Sequence, residues 1–140
     1  MTALARANLA LLGMVVAHDL DHLLNQPPRH LATQVVVPGF IGLASAIVAA
    51  ILALRRHPLA PPASVLVGFG TAAGFIAVHL VPYWSAFSDP YSRLDLNALS
   101  WLLVALPIAV AFLAGVYGTR ALRPGAAQAE TSQISAPLSP

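Results

Sequence analysis

The feature that most constrains the fold is a run without a single charged side chain, residues 35–54. About 20 helical residues cross a hydrocarbon layer of roughly 30 Å. Three further apolar stretches of that length occupy about 4–24, 63–83 and 96–118. The composition agrees, since 58% of the 140 residues are hydrophobic and only 9% are charged, far from the balance of a soluble domain. We therefore predict an all-α fold, an integral membrane four-helix bundle over residues 1–123.

The arginines predict how the bundle is oriented. Five of the seven lie at the amino end, in the middle loop and after the fourth span: Arg6, Arg55, Arg56, Arg120 and Arg123. By the positive-inside rule both termini are then cytoplasmic. Residues 124–140, rich in Ala, Ser, Gln and Pro, are expected to form a disordered cytoplasmic tail. The use of Arg without Lys, with abundant Ala, Leu, Val and Pro, is typical of a GC-rich bacterial genome, so the expected location is a bacterial inner (plasma) membrane, crossed by several passes.

The amino end also has features of a secretory signal peptide. Arg6, a short apolar stretch and Val15-Val16-Ala17 resemble a secretory signal peptide with a small-residue cleavage site. Cleavage there would leave three spans and place the two ends of the protein on opposite sides. Four spans with arginine at both cytoplasmic ends is the simpler account.

Four ionisable residues interrupt the first span near its end: His18, Asp19, Asp21 and His22. Ionisable side chains at membrane depth are costly and mark functional sites by default. His18 and His22 are four residues apart, so they share one face of a helix, and each has a carboxylate three residues away. The sequence therefore places its candidate site in the outer half of the first helix.

His79, the only ionisable residue inside the third span, is expected at a similar depth. At about 1.5 Å per residue, His22 lies about 22 Å from the cytoplasmic end of its span and His79 about 24 Å from the end of its own. Both helices run outward, so the side chains can converge. We predict a metal site formed by His18, His22 and His79, with Asp19 as a fourth ligand or with that position open to water or a substrate.

The nature of the bound group stays open at this stage. The chain has no cysteine, which excludes iron–sulfur clusters and thiolate sites, whereas imidazole suits zinc, copper and iron. A non-covalent haem between two histidines fits the spacing equally well. Asp21, Asp89 and His30 are predicted to orient the ligands or to relay protons.

Two other functions compete with metal binding. The histidines and aspartates could form a purely structural network in an accessory or scaffold subunit that docks a partner membrane protein. They could also exchange protons in a proton-linked transporter component, because histidine titrates near neutrality. Walker A, GxSxG and GxGxxG motifs are absent, and no basic patch of the size that nucleic acid requires is present.

Small residues and one proline predict details of helix packing. Gly70 and Gly74 have the GxxxG spacing that lets helices approach closely, within the chain or in a homo-oligomer. Pro107 lies in the middle of the fourth span, where it should kink the helix or be accommodated by its neighbours.

Overall fold

A computed structural model describes residues 1–25 and 33–123, and in this part of the chain the protein is all-α. Four long helices follow one another: α1 is Ala3–Asn25, α2 is Thr33–Leu54, α3 is Ala60–Phe75 and α4 is Ala98–Ala121. These helices, the third counted with the helical turn that continues it to Leu80, are long and apolar enough to cross a membrane, so the predicted all-α bundle of apolar helices is confirmed. The expected tail, 124–140, lies outside the described residues.

The helices pack side by side in chain order, so that α1 contacts α2 and α4, and α3 contacts α2 and α4. Neighbouring helices run in opposite directions. Asn8, near the start of α1, donates a hydrogen bond from Nδ2 to Oγ of Ser64, near the start of α3, at 2.8 Å. Both residues are fully buried. This pair fixes α1 and α3 at one end of the bundle, and the opposite end holds the histidines.

Small residues form the core between the helices. Ala72, Ala111 and Ala114 pack with Leu11 and Val15 at the centre of the bundle. This choice of residues reflects a general property of membrane helices, which associate through close van der Waals packing because lipid supplies no hydrophobic driving force between them.

The closest approach, between α3 and α4, depends on glycine. A Cβ atom on Gly68 would lie 2.4 Å from the backbone nitrogen of Gly115, and one on Gly118 would lie 2.8 Å from the carbonyl oxygen of Pro61. Neither position can hold a larger side chain unless the backbone moves. In contrast, a Cβ on Gly70 or Gly74 would meet nothing within 4 Å. Within the chain, the predicted GxxxG pair therefore makes no close helix contact.

Prolines set the ends of the third span, which differs from the expected 63–83. α3 begins earlier, at Ala60, because prolines are tolerated in the first turn of a helix, where their missing N–H has no partner to lose. After Phe75 the helix widens into a π-helical turn, Ile76–Leu80, and ends at Val81, whose backbone is extended. Pro82 follows and cannot donate the next helical hydrogen bond. The following loop contains one short 3₁₀ turn, Tyr91–Arg93.

Candidate metal site

His18 and His22 lie on the same face of α1, one turn apart, and both are buried inside the bundle. Their ring centroids are 4.5 Å apart and the planes are nearly perpendicular. The two Nε2 atoms approach to 3.0 Å. The spacing of four residues therefore produces a pair of imidazoles with both Nε2 atoms at one point.

His79 joins this pair from α3 and completes a three-histidine cluster. Its ring centroid lies 4.9 Å from that of His18 and 5.5 Å from that of His22. One ligand nitrogen from each of the three rings lies within 4.8 Å of the others, and all three residues are buried. His79 belongs to the π-helical turn, a distortion that often occurs at functional sites. The predicted convergence of the first and third helices on a histidine cluster is confirmed.

A backbone carbonyl in α4 orients the first of these rings. Nδ1 of His18 lies 2.9 Å from the carbonyl oxygen of Leu103. In a regular helix that oxygen would accept a hydrogen bond from the residue four positions later, but this residue is Pro107, which has no N–H. The mid-span proline thus leaves a carbonyl available inside the bundle, and His18 donates to it from Nδ1.

A second carbonyl, in the loop after α3, orients His79 in the same way. Nδ1 of His79 lies 3.3 Å from the carbonyl oxygen of Asp89. The backbone N–H of Asp89 donates at 2.9 Å to the carbonyl oxygen of Val78. That oxygen has no donor four positions later in its own helix, because residue 82 is a proline and has no N–H. The indole N–H of Trp84 donates to the carbonyl of Ala77 at 2.6 Å. These bonds hold the loop against the end of α3 and place the Asp89 carbonyl beside the histidine.

These two contacts fix which ring nitrogens can bind a ligand. A neutral imidazole that donates from Nδ1 carries a lone pair on Nε2. His18 and His79 therefore both present Nε2 as an acceptor, and without an ion His22 donates from its Nε2 to Nε2 of His18. Metal-binding histidines typically donate their other ring N–H to a carbonyl or a carboxylate, which fixes the tautomer and the ring orientation.

Aromatic side chains enclose the cluster. The ring of Tyr91 is fully buried, with its centroid 4.7 Å from that of His79 and its hydroxyl 3.4 Å from Nε2 of His22. Phe75 packs against the other side, with its centroid 4.6 Å from that of His18. The burial of Tyr91 comes from the loop that folds back over α3.

The distances suit a single tetrahedral ion after a small adjustment. With metal–nitrogen bonds of about 2.0 to 2.1 Å, tetrahedral ligand atoms are about 3.3 Å apart. The nitrogens here are separated by 3.0 Å at the closest pair and by no more than 4.8 Å. Rotations of the imidazole rings cover that difference, so the cluster can supply three neutral nitrogen ligands and leave a fourth position open.

The three aspartates near the cluster lie in different surroundings. Asp19 lies outside the group of three among the described residues and lines a cavity beside it. Asp21 is buried and accepts a hydrogen bond from Nδ2 of Asn25 at 2.9 Å. Asp89 contributes its backbone carbonyl to His79. The orienting role that the sequence assigned to carboxylates is therefore filled, for His18 and His79, by backbone carbonyls.

The two remaining histidines are His30, which was predicted to support the site, and His57. His30 falls within 26–32, outside the described residues. His57 lies at the opposite end of the bundle, where it is exposed and its Nδ1 accepts a hydrogen bond from the backbone N–H of Leu59.

Comparison with known proteins returns no relative. No protein-family model matches the chain, and neither a curated protein nor a solved structure is significantly similar to it. We therefore infer the function from the geometry of the histidine cluster.

Proposed function

We propose that this chain is an integral membrane protein that binds one transition-metal ion through Nε2 of His18, His22 and His79. The observation that carries this proposal is the pair of backbone carbonyls, of Leu103 and Asp89, that hold Nδ1 of two of the rings. Each contact leaves Nε2 as the ring nitrogen that can bind an ion, and one ligand nitrogen of each of the three rings lies within 4.8 Å of the others. A purely structural cluster needs no such agreement between the orientations of its rings.

The compactness of the cluster favours an ion over a haem held between two histidines. Two axial imidazoles on one iron, with bonds of about 2 Å, hold their ring centroids about 6 Å apart with the macrocycle between them. Here the three centroid separations run from 4.5 to 5.5 Å. The rings contact one another, which leaves no plane for a porphyrin between any two of them.

The three imidazole donors limit which metal ions the site would bind. Three neutral imidazoles without a thiolate suit Zn²⁺, Cu²⁺ and Fe²⁺ and do not favour hard cations such as Mg²⁺ or Ca²⁺, which prefer oxygen. A three-histidine set with an open fourth position is the arrangement of catalytic rather than structural zinc. Such an ion polarises a bound oxygen or lowers the pKa of a bound water. The Tyr91 hydroxyl, beside His22, is in a position to hydrogen-bond a water on that ion.

The orientation of the site also belongs to this proposal. Arginines flank the end of the bundle opposite the histidine cluster: Arg6, Arg55, Arg56 and Arg120 are exposed or follow the ends of helices there. By the positive-inside rule that end faces the cytoplasm. The metal site then lies near the extracytoplasmic surface of a bacterial plasma membrane.

Metal content and affinity, measured on the purified protein, test the proposal. Wild-type protein in detergent, loaded with Zn²⁺ and desalted, should retain about one ion per chain. His18→Ala and His79→Ala should each lower the affinity by at least 100-fold, whereas the matched control His57→Ala should bind as wild type.

The two competing functions give different results in that experiment. A structural network or a proton-handling site predicts that the wild type retains no stoichiometric metal after loading. A proton-linked transporter component would in addition show pH-dependent flux in liposomes that survives treatment with a chelator. Either result would replace the metal proposal.

A further inference from the structure

A cavity of about 740 Å³ adjoins the histidine cluster between α1, α2 and α3. Its volume lies within the range of about 300 to 1,000 Å³ that ligand pockets occupy. His18, His22 and His79 form part of its wall, and most of the remaining wall is apolar. The proposed metal site therefore borders a space large enough for a small molecule.

Glycines create much of this space. Gly42, Gly70 and Gly74 all line the cavity, and a Cβ on any of them would meet nothing within 4 Å. Glycine in a helix interior is destabilising relative to alanine. In this chain, helix packing explains Gly68, Gly115 and Gly118 and does not explain these three.

The cavity opens toward the lipid side of the bundle. Phe40 on α2 and Leu66 on α3 form part of its wall, and they are 69% and 76% exposed. Both helices are membrane-span candidates. A molecule that reaches the cavity between them would come from the hydrocarbon phase of the membrane, so the expected occupant is soluble in lipid.

One carboxylate marks the polar end of the cavity. Asp19 lines the cavity beside His18 and His22, and one of its carboxylate oxygens lies 3.5 Å from the position of a Cβ on Gly39. The side chain is only partly buried. Among the described residues it has no hydrogen-bond or ion-pair partner. A carboxylate oxygen accepts hydrogen bonds, so a ligand in the cavity that carries a hydroxyl can donate one to Asp19.

We infer that this cavity binds a lipid-soluble alcohol or phenol. Its apolar chain lies along Gly70 and Gly74, and its hydroxyl lies at the polar end, where the oxygen binds the metal and the hydrogen is donated to Asp19. The inference rests on the proposed metal site, because the metal supplies the partner for the oxygen. It deepens that proposal by naming the class of molecule that occupies the open coordination position.

The test uses Co²⁺-loaded protein in phosphatidylcholine nanodiscs, with tritiated 1-hexadecanol as the probe. Bound hexadecanol is measured by scintillation proximity, and the visible spectrum of Co²⁺ reports a change in its coordination. We expect saturable binding that excess hexadecanol displaces and that hexadecane displaces at least tenfold less effectively. The Co²⁺ absorption bands should shift when hexadecanol is added and stay unchanged with hexadecane.

Variants separate the cavity from the metal site. Gly70→Leu and Gly74→Leu fill the cavity and should weaken hexadecanol binding at least tenfold while Co²⁺ stays bound. Gly13→Leu is the matched control, because Gly13 also lies in a helix, is exposed and has nothing near its Cβ position, but does not line the cavity. Asp19→Asn should weaken binding about fivefold, the effect of one hydrogen bond.

Each outcome decides one of the two claims. If Co²⁺ binds but hexadecanol does not saturate, or if Gly70→Leu binds hexadecanol as wild type does, the inference is overturned and the metal site stands. If Co²⁺ fails to bind, the proposed function fails first, and the inference fails with it because the alcohol oxygen has lost its partner.

Discussion

Replacing Pro107 with alanine should stabilise the fold slightly and weaken metal binding, two effects of opposite sign. Alanine restores an N–H at this position, and that N–H can donate to the carbonyl of Leu103 in the ordinary helical pattern. His18 now shares or loses the acceptor that orients its ring. Loss of such an orienting contact typically lowers metal affinity 10- to 100-fold, which is about 1.4 to 2.7 kcal/mol.

The stability change has two parts that can be estimated from the structure. Proline in a helix interior costs about 3 kcal/mol relative to alanine, although neighbouring groups reduce this cost inside a membrane bundle. Pro107 is fully buried, so its replacement also removes about two packed methylene groups, worth about 1.6 kcal/mol. The metal-free variant should therefore be as stable as wild type or up to about 1 kcal/mol more stable.

The assay is a pair of measurements on the same detergent-purified samples: Zn²⁺ affinity by competition with a chelating dye, and thermal unfolding of the metal-free protein. Pro38→Ala is the matched control, because Pro38 also lies beyond the first turn of a helix and none of the hydrogen bonds described for the ligand histidines involves it. Its Zn²⁺ affinity should equal that of wild type. A Pro107→Ala variant with wild-type Zn²⁺ affinity would refute the account of how His18 is oriented.

Three further predictions follow from the same geometry. Gly68→Ala should destabilise the bundle by about 1 to 3 kcal/mol, the range for overpacking, whereas Gly70→Ala should be neutral or stabilising by up to about 1 kcal/mol. Thermal unfolding in detergent measures the stability of both variants. Equal effects would contradict the packing described for α3 and α4. Bound Zn²⁺ should be released as pH falls, since imidazole must be neutral to bind; occupancy that is constant from pH 7.5 to 4.5 would argue against histidine ligands. Tyr91→Phe should bind Zn²⁺ with an affinity within about threefold of wild type, because the ring still packs against the cluster. It should alter the visible spectrum of the Co²⁺ form, because the hydroxyl no longer contacts the site. An unchanged spectrum would mean that the hydroxyl does not contact the bound ion or its water.

The sequence was sufficient to predict the four helices and the three histidines. Hydropathy determines the spans directly, and the spacing of His18 and His22 places them on one helix face. His79 could be added because the first and third helices run in the same direction, so residues that lie equally far from the start of each helix lie at the same depth in the membrane. These inferences use only local periodicity and the thickness of a bilayer.

The groups that orient the histidines were harder to predict, because they are backbone atoms. Every residue has a carbonyl, so the sequence does not show which one is available inside a bundle. For Leu103 the sequence does indicate a carbonyl without a helical donor, since Pro107 follows it by four positions. Which side chain of α1 donates to that carbonyl depends on how α1 and α4 pack. The burial of Tyr91 similarly results from a loop that folds back over the end of α3.

The role of the glycines also depends on tertiary structure. GxxxG spacing predicts close helix contact and does not distinguish a contact from a cavity. In this protein Gly68 packs against α4 while Gly70, on another face of the same helix, lines an open space. Helix rotation decides between the two, and it is set by the whole bundle.

X-ray absorption spectroscopy at the zinc edge of the loaded wild-type protein tests the central claim most directly, because it counts the ligands of the ion. The account predicts three imidazole nitrogens at about 2.0 Å and one further light atom, with the imidazole count falling to two in His79→Ala and unchanged in His57→Ala. A shell of oxygen ligands with fewer than two imidazoles would contradict a three-histidine metal site.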